Sequence, residues 1–162
     1  ARSLSSGNSG HAIDTVDIVI RINRAPMPST RTHGVRTDWL ALATSISAAD
    51  LDRIRPKRIF WMSPKRKRLP YSVATSPGFY LHPLPRIAAL AATLGAPPTT
   101  GLMMIDLLAG SGVARLDLYG FDFFASLSLT GSRTADQVPH DFPAERRFVE
   151  ALATRDPRIR LL

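Results

Sequence analysis

Short β-branched and apolar runs alternate along this chain with longer stretches of helical period, the pattern of an α/β domain built on a largely parallel sheet. VDIVIRIN (16–23), TDWLALAT (37–44), KRIFWM (57–62), ARLDLYGF (114–121) and RIRLL (158–162) read as strands. Residues 1–6 read as one more, running into the turn GNSG (7–10). Ser47 caps a helix that ends near Arg55, before Pro56, with Asp50 at its third position close to the positive end of the dipole. Helical period returns over 84–94 and 99–110, and a last helix runs from Pro143 to about Thr154 with Phe148, Val149 and Leu152 on one face. PKRKRLPYSVATSPG (64–78) reads as a basic, mobile connection.

At 162 residues and 44% hydrophobic content the chain is long and apolar enough for one domain with a full core. No apolar run is long enough to span a bilayer. A net charge of +8 creates a field that draws anionic ligands, among them nucleotides, acidic glycans, nucleic acid and membrane headgroups. The absence of cysteine excludes disulfides and thiolate metal sites and fits a reducing compartment, so a cytoplasmic, bacterial-type setting is expected. The chain begins at Ala1 rather than Met, which leaves room for an upstream segment.

Four segments carry candidate chemistry. In GNSG, the backbone N–H groups and the Asn8 and Ser9 side chains suit a phosphate or a ribose; a plain turn is the other reading. RINRAP (21–26) puts Asn23 at a strand end between two arginines, or equally at a solvated strand end before a proline stop. In PPTTGLMMIDLL (97–108), Thr99 or Thr100 can cap a helix whose free N–H groups form an anion site, with Gly101 permitting close approach. An ordinary capped core helix is compatible with that role. In QVPHDFPAER (137–146), Pro143 at the first helical position puts Glu145 third, where its carboxylate would complement the helix start. His140, an imidazole just ahead of the helix, is a candidate base if a substrate hydroxyl comes within reach and a loop residue otherwise.

Taken in order, these segments resemble the sialyltransferases of glycosyltransferase family 29. GNSG, the Val16-Asp17 pair, Arg21 with Asn23 and the Ala25-Pro26 stop look like that family's large motif. PTTGLMMIDLL and LDLYGFDFF look like its small motif, and His140 with Glu145 fits the His-x4-Glu of its very small motif. The resemblance implies a Rossmann-like three-layer α/β/α sandwich, a GT-A-like variant, holding one catalytic domain over residues 1–162. It implies inverting, metal-independent transfer of sialic acid, or a related acidic sugar, from a CMP-sugar donor to a glycan hydroxyl. No cofactor is implied beyond the CMP-sugar donor substrate. By position, Asn8, Ser9, Asn23, Thr99, Thr100 and Gly101 meet the donor, and His140 is the general base.

The chain also departs from the pattern. The disulfide of animal members is missing, the large motif is shorter, and the family's histidine-tyrosine pair has no counterpart in LTGSRTADQVP (129–139), where Arg133 is the candidate substitute at the phosphate. The basic loop 64–68 is either a solvated charged turn or a contact for an anionic acceptor or membrane surface, which would place the protein peripherally on the inner membrane. Two other readings stand beside the enzyme: a basic nucleic-acid-binding protein, which lacks a recognised module, and a catalytically inactive nucleotide-binding relative.

Overall fold

A computed structural model describes residues 3–24, 26–123 and 137–162. Among the described residues six strands appear, β1 (Ile20–Ile22), β2 (Trp39–Leu42), β3 (Arg58–Trp61), β4 (Tyr80–Leu81), β5 (Leu116–Leu118) and β6 (Ile159–Leu161). The first four form one sheet in the order β1-β2-β3-β4, and β5 pairs with β6. Every one of these pairings is parallel.

Alternation along β2 and β3 builds the layers. Leu40, Leu42, Ile59 and Trp61 point to one face, where they meet Ile54 of α3 (Ala48–Ile54) and Val73 of α4 (Tyr71–Ala74). Ala41, Phe60 and Met62 point to the other. There they pack on Ile87 and Leu90 of α5 (Leu84–Leu94), on Leu102 to Ile105 of α6 (Thr100–Ala109) and on Val149 of α7 (Phe142–Arg155). Leu118 and Ile159 belong to this second cluster, so both sheets share one core. Helices therefore cover both faces, and the fold is the expected Rossmann-like α/β/α sandwich. Each fully buried large side chain, such as Trp61, Leu40 or Ile105, contributes about 1.5–3 kcal/mol.

Three expectations are corrected. Residues 3–6 form a 3-10 turn rather than a strand. Ser6 Oγ returns to the Ser3 carbonyl and Ser3 Oγ reaches the Gly120 carbonyl, so these hydroxyls compete with a strand ladder for the backbone. The connection 64–78 is folded: it holds a 3-10 turn (Arg66–Arg68) and α4, whose Val73 is buried against Trp61's face of the sheet. The two-residue β4 gives no periodic signal in the sequence and exists because it pairs with β3. The strand at 16–23 is also shorter than its apolar pattern, since Val19 gives its N–H to the Asp38 side chain rather than to a neighbouring strand.

The two edges of the sheet differ in chemistry. At the amino-terminal edge, Asp38 accepts from Val19 N at 2.9 Å, Lys57 Nζ at 2.8 Å and Arg36 Nε at 2.9 Å. Burial opposes ionisation of Asp38, but these donors outweigh it and hold the carboxyl down at about 2. The carboxyl-terminal edge, where α/β sheets place their ligands, carries Asn23 just beyond β1 and the start of α6, whose Gly101 faces Ile22 and Phe121.

Candidate active site

The first contributor is the end of β1. Asn23 takes a left-handed backbone conformation, φ 54°, which asparagine tolerates better than most residues. Its N–H bonds the Ala41 carbonyl and its Oδ1 accepts from Ala43 N at 3.0 Å, pinning β1 to β2 at their carboxyl ends. The carboxamide oxygen is thus engaged by the fold, and the amide nitrogen makes no hydrogen bond among the described residues. Arg21 is likewise structural, donating to the carbonyls of His33 and Arg36.

GNSG does not follow a strand. It leads from the 3-10 turn into α1 (Gly10–Asp14), with Ser9 as the residue before the first helical position and its hydroxyl making no cap bond. Gly10 is required for packing: a Cβ there would lie 1.9 Å from the Thr30 carbonyl oxygen of α2 (Thr30–His33). Asn8 is exposed and Ser9 half-buried. No hydrogen bond among the described residues joins either of them to the small-motif residues. The link is indirect, through Ser3 Oγ at the Gly120 carbonyl beyond β5.

At the start of α6, Thr99 rather than Thr100 is the cap: its Oγ1 accepts from Leu102 N at 3.1 Å. The amides of Thr100 and Gly101, at the first two helical positions, have no acceptor among the described residues. Gly101 sits where a Cβ would come within 2.8 Å of the Phe121 ring and 3.4 Å of Ile22, so its lack of a side chain lets α6 close on the ends of β1 and β5. Thr100 and Gly101 are both buried, so neither residue presents a side chain to solvent.

Glu145 departs from its expected place. Asp141 caps α7, accepting from Ala144 N at 2.8 Å, and Phe142 and Pro143 take the first two positions, so Glu145 is fourth. Its carboxylate does not serve its own helix. It crosses to α6, accepting from Thr99 N at 2.6 Å through Oε1 and from Thr99 Oγ1 at 2.7 Å through Oε2. Burial raises its titration above the usual glutamate value, opposed by the two Thr99 bonds and by the nearby His140. The cap preference of aspartate ahead of a proline could have identified Asp141; nothing local could have identified Thr99.

His140 lies two residues before Phe142, its ring 5.9 Å from the Phe142 ring. Its Nδ1 is 2.8 Å from the Pro97 carbonyl oxygen. A carbonyl only accepts, so Nδ1 carries a proton in this contact, and in the neutral ring the lone pair is on Nε2. Two bonds therefore tie the start of α7 to the start of α6, one from His140 to Pro97 and one from Glu145 to Thr99. Pro97 was not singled out in the sequence, because its part is played by its backbone. Arg133 lies outside the described residues. On α3, Asp50 receives Ser47 Oγ at 2.8 Å and Arg53 at 3.1 Å, a helix-start role.

No protein-family model and no curated protein matches this sequence. Among solved structures, the chain is similar to a mammalian sialyltransferase crystallised in complex with Gal-β-1-3GalNAc-ortho-nitrophenol. The TM-score is 0.62 and the identity 17%, with 98% of this chain and 65% of that chain covered. The chain thus has a sialyltransferase-like fold and spans less than two thirds of that protein's length. Among the described residues no helix is long and apolar enough to cross a membrane.

Proposed function

We propose that this chain is a glycosyltransferase that moves sialic acid, or a related acidic sugar, from a CMP-activated donor to a glycan hydroxyl with inversion, His140 acting as general base. The observation that carries the reading is the pairing of His140 with the segment leading into α6, where the Pro97 carbonyl lies 2.8 Å from Nδ1 and orients the ring. The sialyltransferase-like fold and the order of the three sequence motifs support it.

In the proposed reaction Nε2 takes the proton of the acceptor hydroxyl as its oxygen bonds the anomeric carbon. The bond from that carbon to the phosphate oxygen breaks on the opposite face, and its electron pair leaves with CMP. The unpartnered amides of Thr100 and Gly101, at the positive end of α6, meet the charge growing on the phosphate. Asn8, Ser9 and the Asn23 amide nitrogen complete the nucleotide grip, and Arg133 is a further phosphate contact. CMP departs as a stabilised anion, so the step as written calls for no metal ion.

Calorimetric titration of CMP tests the root of this reading. Wild-type protein is expected to bind CMP and Asn8→Ala to bind it more weakly; a folded sample that binds no cytidine nucleotide ends the proposal. His140→Ala is expected to lower transfer from CMP-sialic acid by about 10²–10⁴-fold while CMP affinity is unchanged. Full turnover in that variant would remove His140 from the base role.

A further inference from the structure

Residues 53–105 contain nine Lys and Arg and no Asp or Glu, so this one segment carries the whole positive balance of the molecule. Outside it several cations are paired with carboxylates, Arg36 with Asp38, Arg115 and Arg160 with Asp117, and Arg158 with Asp156, and within it Arg53, Lys57 and Arg86 pair with Asp50, Asp38 and Asp106. Lys65, Lys67 and Arg68 are exposed and make no ion pair or side-chain hydrogen bond among the described residues. Arg66, in their midst, is used differently. Its guanidinium donates to the Ser63 carbonyl at 3.0 Å and to the His82 carbonyl, riveting the basic turn to the end of β4.

That rivet brings the free cations to the same corner of the molecule as Leu81 and Leu84, which are 45% and 47% exposed on either side of His82. Tyr71, at the first position of α4, is 83% exposed. We propose that Lys65, Lys67, Arg68, Tyr71, Leu81 and Leu84 form a docking surface for an anionic phospholipid bilayer. A polyanionic glycan or nucleic acid would satisfy the cations and leave both leucines in water. A bilayer interface takes all three kinds of group: anionic headgroups for the cations, the headgroup boundary for the tyrosine and acyl chains for the leucines. This inference is independent of glycosyl transfer, because it rests on none of the residues assigned to donor or base.

The test is co-sedimentation with vesicles of phosphatidylcholine mixed with phosphatidylglycerol, beside vesicles of phosphatidylcholine alone. Wild-type protein is expected to bind the mixed vesicles, to leave the neutral ones, and to dissociate as salt is raised. At about fivefold per cation, the combined Lys65→Ser, Lys67→Ser, Arg68→Ser variant is expected to bind about a hundredfold more weakly. Leu84→Ser separates a bilayer from a soluble polyanion: it is expected to weaken vesicle binding several-fold and to leave retention on heparin unchanged. These side chains are exposed, and circular dichroism checks that each variant is folded. Wild-type protein that stays in the supernatant with mixed vesicles, that binds neutral vesicles equally, or whose vesicle binding is indifferent to Leu84→Ser would overturn the proposal.

Discussion

Asp38 and Glu145 are both buried carboxylates, 4% and 3% exposed, yet they sit at opposite edges of the fold and are treated in opposite ways. Asp38 is met by two cations and a backbone amide that tie the amino ends of β1, β2 and β3 together, and its titration is pushed down to about 2. Glu145 is met by the neutral N–H and hydroxyl of Thr99, and burial pushes its titration up. The difference separates an anchor from a positioning device. Charge-assisted bonds stabilise the rim opposite the candidate site, while neutral donors hold a carboxylate beside the candidate base.

The largest effect expected from breaking this contrast is at the anchor. Asp38→Ala leaves Arg36, Lys57 and the Val19 amide without their acceptor and is expected to cost about 3 kcal/mol, read as a lowered urea midpoint. Acid loosens the same anchor more gently. The folded value of about 2 lies below the ordinary 3.8, so the unfolded chain holds more protons between them. Stability from Asp38 is complete above the ordinary value and is lost as pH falls through about 2, roughly 2 kcal/mol in all. Asp38→Asn should remove that part of the acid dependence; an unchanged profile would show that Asp38 is not its source.

Glu145→Ala is expected to cost about 1–2 kcal/mol, because two buried donors of Thr99 lose their partner, and to lower turnover by shifting the His140 loop. Glu145→Gln keeps one acceptor oxygen and should recover much of both; turnover that stays at wild-type level in Glu145→Ala would sever the link between Glu145 and the base. The pH sense at Glu145 is the reverse of that at Asp38. Its raised folded value makes its contribution complete below the ordinary 4.5 and lost as pH rises through the folded value.

The smallest effect is expected at His82, buried with neither ring nitrogen hydrogen-bonded among the described residues. Burial and then the Arg86 guanidinium lower its titration below the usual 6.5, opposed by Asp106 and reinforced by Arg66. The His82 contribution is therefore complete above 6.5 and lost as pH falls through the folded value. His82→Gln should flatten the urea midpoint between neutral and mildly acidic pH; a slope identical to wild type would place that dependence elsewhere.

Five of the six strands and four of the helices were legible as segments, because their apolar positions repeat at the period of the element that buries them. Ser47 was legible as a cap for the same kind of reason, needing only a hydroxyl at the correct step before its helix, while the cap of α6 was narrowed to Thr99 or Thr100 and the structure chose Thr99. Residues 3–6, β4 and the folded part of 64–78 were not, since their conformations follow from partners far along the chain: Gly120, β3 and the Trp61 face. In the candidate site, the residue types of His140, Glu145 and Thr99 drew attention, but Glu145 was placed on its own helix. The carboxylate's choice of Thr99, 46 residues away, over the amides of α7 depends on how two helices pack.

By itself the amino-acid sequence determined the layered α/β character, the positive balance and the short set of residues able to do chemistry, because periodicity, charge and side-chain type are local properties. Only the tertiary structure decided that Asn23 spends its carbonyl on β2, that Asp141 rather than Glu145 caps α7, and that the Pro97 carbonyl selects the tautomer of His140. The physical reason is common to all three. Each is a choice among several competent hydrogen-bond partners, and the partner that wins is the one that packing brings within 3 Å.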